Sequence, residues 1–77
     1  MKELVTYIAT QLVQKPSDVQ VSKIDESRRV RVELKVAKND MGRVIGKGGR
    51  IANSIRVLMR VAAAREGKRA SLDIIEP

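Results

Sequence analysis

Val44-Ile45-Gly46-Lys47-Gly48-Gly49-Arg50-Ile51 places three glycines in four positions between two stretches of helical character. Such a run interrupts a helix, because each glycine costs about 1 kcal/mol relative to alanine in a helix interior. Upstream, Asn39 or Asp40 is placed to cap a short helix starting near Met41, with room for one turn before Gly46. Downstream, a second helix fits Arg50 to Arg65, with Ile51, Ile55, Leu58, Met59 and Ala62 as its buried stripe. Arg56 and Arg60 fall on the opposite side, and Gly67 ends the helix. A plain helical corner needs one glycine for its positive φ. Here Gly46 and Gly49 bracket Lys47 and Gly48, and the loop opens directly onto a helix N-terminus. Backbone N–H groups at such a terminus, backed by the positive end of the helix dipole, attract phosphate oxygens. The missing side chains let a sugar–phosphate backbone approach the peptide, Lys47 adds charge at the tip, and Arg43 and Arg50 flank it. The loop carries no group that identifies a base, so base contact falls to the adjacent Val44 and Ile45 and to the adjoining strand.

Outward from the loop, the strongest signal is a strand. From Arg29 to Val36, Val30, Val32, Leu34 and Val36 alternate with Arg29, Arg31, Glu33 and Lys35, which is period two with β-branched residues. Val19, Val21 and the less regular Ile24 suggest an earlier strand, joined through Asp25-Glu26-Ser27. The chain opens with an amphipathic helix from Glu3 to Lys15. Leu4, Ile8 and Leu12 form its stripe, Val5 and Val13 widen it, and Pro16 stops it. Ala70 to Ile75 closes the order as a strand with Leu72 and Ile74 inward. The expectation is one α+β domain over residues 1–77, in the order α-β-β-α-α-β, reading as a complete protein.

Composition narrows the chemistry. The chain has no Cys and no His, which removes disulfides, thiolate and imidazole metal sites, thiol nucleophiles and the usual general base. No cofactor, metal or catalytic residue is expected. The net charge of +7 is concentrated: residues 43–69 hold eight Lys/Arg against Glu66 alone. That excess points to a polyanion, nucleic acid first and an anionic membrane second. No apolar run reaches the roughly 20 residues of a membrane span, and no signal-peptide layout opens the chain, so a cytoplasmic location without membrane insertion is expected. Two phosphate loops of nucleotide enzymes do not fit. Gly42 to Lys47 is one residue short of a Walker motif, with Gly48 at its hydroxyl position. The dinucleotide fingerprint fails at Ile51, where a glycine is required.

The run from Val44 to Ile51 resembles the signature of the KH domain, whose GxxG loop clamps about four nucleotides of single-stranded nucleic acid. A helix and strand before Asp40, with nothing after Ile75 for a further strand and helix, resemble the prokaryotic type II arrangement rather than type I. With Gly42-Arg43 just upstream, the full length is similar to the small stand-alone bacterial KH proteins of the KhpA family. That resemblance implies a three-stranded sheet covered on one face by three helices. It also implies an RNA chaperone acting with a larger KH-containing partner of the KhpB family in cell elongation and envelope growth. On this footing Arg43, Val44, Ile45, Gly46, Lys47, Gly48, Gly49 and Arg50 are the candidate RNA-binding residues. The absence of Phe and Trp leaves no aromatic platform like those that stack bases elsewhere, so weak, phosphate-dominated binding is expected.

Weak sites gain from multivalency. Val57, Val61 and Ala64 form a second apolar edge on the helix after the loop; they either pad the sheet or form a homodimer or heterodimer interface. A dimerising protein adaptor is the competing class. Arg56, Arg60, Arg65, Lys68 and Arg69 either extend the RNA track or solubilise the helix, and Arg28, Arg29 and Arg31 pose the same choice.

Overall fold

The alternation at residues 29–36 becomes the middle strand of the sheet. In the computed structural model, which describes residues 1–77, helix α1 spans Lys2–Leu12 and strands β1 and β2 span Gln20–Asp25 and Arg29–Lys35. Helices α2 and α3 then span Met41–Ile45 and Arg50–Ala64, and β3 spans Arg69–Ile75. The sheet order is β1-β2-β3. β2 pairs antiparallel with β1 (Val21 opposite Leu34) and parallel with β3 (Val32 opposite Leu72). Val30, Val32 and Leu34 are buried against the helices while Arg29, Arg31 and Lys35 are exposed on the bare face. The expected architecture stands: three helices cover one face of a mixed three-stranded sheet. Ile24 lies opposite Arg31, on the bare face, which accounts for its irregular place in the pattern.

Both long helices are rotated from the expected orientation. In α1 the fully buried residues are Val5 and Ala9, followed by Val13, while Leu4, Ile8 and Leu12 are half-buried. In α3 they are Ala52, Ile55, Met59 and Ala63; Ile51 and Ala62 are half-buried, and Leu58 stands 50% exposed. Alanine on the facing stripe lets a helix sit closer to the sheet, so size decides between two adjacent apolar stripes. The rotation also moves Arg56. Its guanidinium donates from Nη2 to the Leu72 carbonyl (3.1 Å), so Arg56 covers the free edge of β3 rather than facing solvent opposite the core.

α1 ends at Leu12, short of the expected Lys15. The amides of Gln14 and Lys15 donate instead to the two carboxylate oxygens of Asp40 (3.0 and 3.1 Å), and Lys15 (φ −118°, ψ 75°) is non-helical ahead of Pro16. Asp40 was expected as a helix cap. It makes no capping hydrogen bond to an α2 amide; Asp40 is 2% exposed, and its carboxylate ties the end of α1 to the start of α2. At the far end of α3, Gly67 (φ 68°) closes the helix. Lys68 N–H donates to Ala63 O (3.0 Å) and Gly67 N–H to Ala64 O (3.1 Å).

Candidate nucleic-acid interface

The loop between α2 and α3 is built from three glycines in positive φ: Gly46 (φ 74°, ψ 177°), Gly48 (φ 63°, ψ 20°) and Gly49 (φ 79°, ψ 12°). Their surroundings differ. A Cβ on Gly46 would lie 2.6 Å from Ile51 Cγ1, so this glycine admits a close packing of the loop against α3. A Cβ on Gly48 or Gly49 would meet nothing within 4 Å. Gly46 N–H donates to Gly42 O (2.8 Å) and Gly49 N–H to Gly46 O (3.3 Å), which ties the loop to α2 and closes its turn. Lys47 and Gly48 are exposed at the tip, where the bare Gly48 leaves the backbone open to an incoming anion.

The cations sit around that tip. Lys47 and Arg50 are exposed with no ion-pair partner. Arg43 is exposed one helical turn before the loop, its Nε 3.5 Å from Asp40 Oδ1. The carboxylate that joins α1 to α2 thus also pairs with Arg43.

The apolar floor is not the expected pair. Val44 is completely buried among core residues of the sheet and helices and has no surface to offer a base. Ile45 is half-buried and shares a groove of ≈ 450 Å³ with Met41, Lys38, Glu76 and Pro77, between α2 and the end of β3. Met41 and Lys38 were missed in the sequence. The spacing of Met41 and Ile45, one turn apart, was the available signal, since such residues share a helix face. A second shallow hollow of ≈ 430 Å³ is lined by Met1, Leu4, Leu58, Val61, Ala62, Arg65 and Glu66. Beside it Val57 is 52% and Val61 55% exposed, Ala64 is exposed, and Leu58 joins them.

A family model described as "KhpA/KhpB, KH domain" matches residues 2–74. The chain belongs to the KhpA/KhpB KH-domain family. The protein named "RNA-binding protein KhpA" of Caldanaerobacter subterraneus subsp. tengcongensis is 51% identical over 75 residues, covering 97% of this chain and 100% of that one. The Clostridium perfringens protein of the same name is 49% identical over 75 residues with the same coverage. That of Chlamydia trachomatis is 41% identical over 76 residues, covering 99% of this chain and 97% of that one. Two solved structures share the fold. An Aquifex aeolicus Era variant bound to GDP.AlF4- has a TM-score of 0.69 at 20% identity. Era in complex with MgGDPNP and nucleotides 1506–1542 of 16S ribosomal RNA has a TM-score of 0.64 at 19% identity. Each matches 97% of this chain, which spans 29% of the Era chain. The resemblance drawn from Val44 to Ile51 therefore extends over nearly every residue of the KH unit.

Proposed function

We propose that the chain binds single-stranded RNA through the loop 46–49, as a KH unit spanning residues 1–77. The observation that carries this is the exposed loop tip, where Gly48 leaves the backbone open beside Arg43, Lys47 and Arg50, and a groove floored by Met41 and Ile45 lies alongside. An open glycine backbone and cations fit phosphate oxygens; the groove gives bases an apolar seat. The relatives' name, RNA-binding protein KhpA, favours RNA as the strand. With three cations at the phosphates, log K falls against log salt with a slope of about −2. We assign the chain no catalytic step: it has neither Cys nor His and no cluster of three acidic or metal-ligating side chains.

Lys47→Asp with Gly48→Asp tests the clamp. Both positions are exposed, and aspartate tolerates the left-handed backbone at 48 better than most residues. Loss of binding to a short oligouridylate, with an unchanged circular dichroism spectrum, supports the proposal. Unchanged affinity overturns it.

A short contact without aromatic stacking suits a chaperone that holds RNA briefly and lets it go, working as a pair. The exposed Val57, Leu58 and Val61 favour a homodimer or a heterodimer with a larger KH-containing protein of the KhpB type. Cell elongation and envelope growth are the processes we assign to that pair. No helix is long and apolar enough to cross a membrane, and we place the protein in the cytoplasm. The same exposed side chains favour the second reading, a dimerising adaptor that binds no RNA. Val61→Asp should yield monomers in sedimentation, and crosslinking in cells should recover RNA with the wild type. Recovery of the partner protein without RNA would favour the adaptor.

A further inference from the structure

At the end of the sheet far from the glycine loop, five arginines gather without forming an ion pair. Arg29 and Arg69 begin the parallel pair β2–β3 directly opposite one another, and Arg31 follows Arg29 on the same bare face. Arg28 precedes them, its carbonyl accepting from Arg69 N–H (2.9 Å). Arg60, on α3, shares a hollow of ≈ 320 Å³ with Arg69, Lys68 and Ala70. All five arginines are exposed, none has a carboxylate within 4.0 Å, and none makes a side-chain hydrogen bond.

Of the neighbouring acids, Glu26 sits in the hairpin, bonded to Arg29 through the backbone, with its carboxylate more than 4.0 Å from every arginine, and the others are engaged elsewhere or lie farther along the sheet. Asp25 is taken by Lys68 (2.7 Å) and Lys23 (3.6 Å), Glu66 lies beside Lys68, and Glu33 and Asp73 are paired in register with each other farther along the strands. Like charges directly opposite on a sheet destabilise it. The cluster is thus not a stability device. Its uniform use of arginine also matters, because a guanidinium fork donates two parallel bonds to a phosphate where an ammonium acts as a point charge.

We propose that the arginines at this end of the sheet, Arg29, Arg31 and Arg69 on its bare face with Arg60 across the β3 edge, form a second phosphate-binding surface, taking the RNA backbone that flanks the nucleotides held at the loop. It goes beyond the loop reading and is separable from it. Arg60 lies ten residues beyond Arg50, about 15 Å along α3, so a short oligonucleotide seated at the loop leaves the cluster empty and a longer one reaches it. A membrane fits less well, since Ile24 is the half-buried apolar residue beside Arg31 and no Trp or Phe is present to insert.

The experiment compares oligouridylates of about six and about twenty nucleotides across a salt series, using fluorescence anisotropy. Arg29→Thr with Arg31→Thr and Arg69→Thr removes three charges in favour of a good strand former. On the long RNA the salt slope should fall in magnitude by about 2 and affinity at low salt by about tenfold; the short RNA should be unaffected. Replacing the same three arginines with lysine should keep the slope, which separates charge from any change in folding. Unchanged slope and affinity on the long RNA overturn the proposal. So does binding to vesicles of anionic phospholipid that the threonine variant loses while its RNA slope stays at the wild-type value. Lys47→Asp with Gly48→Asp, run in parallel on the short RNA, reads the loop alone, so failure of one site is distinguishable from failure of the other.

Discussion

Two glycines two residues apart should respond to the same substitution in opposite ways. Gly46→Ala puts a methyl 2.6 Å from Ile51 Cγ1 and 2.9 Å from Ile51 Cβ, in a backbone region (φ 74°, ψ 177°) that is essentially glycine's own. The backbone strain costs about 1–3 kcal/mol. Crowding adds about 1–3 kcal/mol, giving roughly 2–6 kcal/mol in all. A domain of 77 residues has about 4–12 kcal/mol of total stability, so the loss takes a large share of it and, toward the lower end of that stability, leaves the variant substantially unfolded in water. Gly48→Ala meets no atom within 4 Å and carries only the left-handed backbone penalty, about 1–2 kcal/mol. Urea denaturation followed by circular dichroism measures both. The double variant Gly46→Ala with Ile51→Ala relieves the Cγ1 contact and should lose at least about 1 kcal/mol less than the two singles combined. If Gly46→Ala costs no more than Gly48→Ala, the close packing of loop against α3 is wrong. In RNA binding the order reverses: Gly48→Ala folds but sets a methyl on the face open to phosphate, and its affinity should fall.

Val44→Ala should cost about 2 kcal/mol of stability yet leave the affinity of the folded protein unchanged, whereas Ile45→Ala should weaken RNA binding with little loss of stability; urea titration and anisotropy separate the two. Asp40→Asn leaves one of the Gln14 and Lys15 amides without its acceptor and removes the charge beside Arg43, so a loss of about 2–3 kcal/mol is expected in the same urea assay. The hydrogen bond from Lys68 holds the Asp25 carboxyl below the usual carboxylate range and holds the Lys68 ammonium above the usual lysine range. The pair therefore contributes in the window between the two ordinary values. Its contribution disappears as pH falls through the lowered Asp25 value and as pH rises through the raised Lys68 value. In Lys68→Met, the Asp25 carboxyl titration followed by NMR should move upward toward an ordinary aspartate, with only a slight change in melting temperature because the pair is exposed.

The element order and the loop were legible because each depends on local chemistry. Alternation from Arg29 to Val36 admits only a strand, and no helix passes through Gly46 to Gly49. Arg43, Lys47 and Arg50 could be named as loop cations since they neighbour the glycines in the chain. Asp40 and Val44 were misread for the same reason: beside a helix start an aspartate suggests a cap, and beside a phosphate loop a valine suggests a base floor. What Asp40 does depends on Gln14 and Lys15, separated from it by two strands.

Local patterning, then, determined the α-β-β-α-α-β order, the positive-φ bend and the family to which the chain belongs. Tertiary packing decided which stripe of each long helix turns inward. Apolar residues at 4-8-12 and at 5-9-13 of α1 are only about 100° apart around the axis, as are Leu58 and Met59 of α3. Periodicity cannot choose between such neighbours, but the sheet can, by admitting Ala9, Ala52 and Ala63 at closest approach. That rotation leaves Leu58 in solvent beside Val57 and Val61. The gathering of Arg28, Arg29, Arg31, Arg60 and Arg69 at one end likewise exists only after β3 lies parallel to β2, a contact across about forty residues that no local pattern encodes.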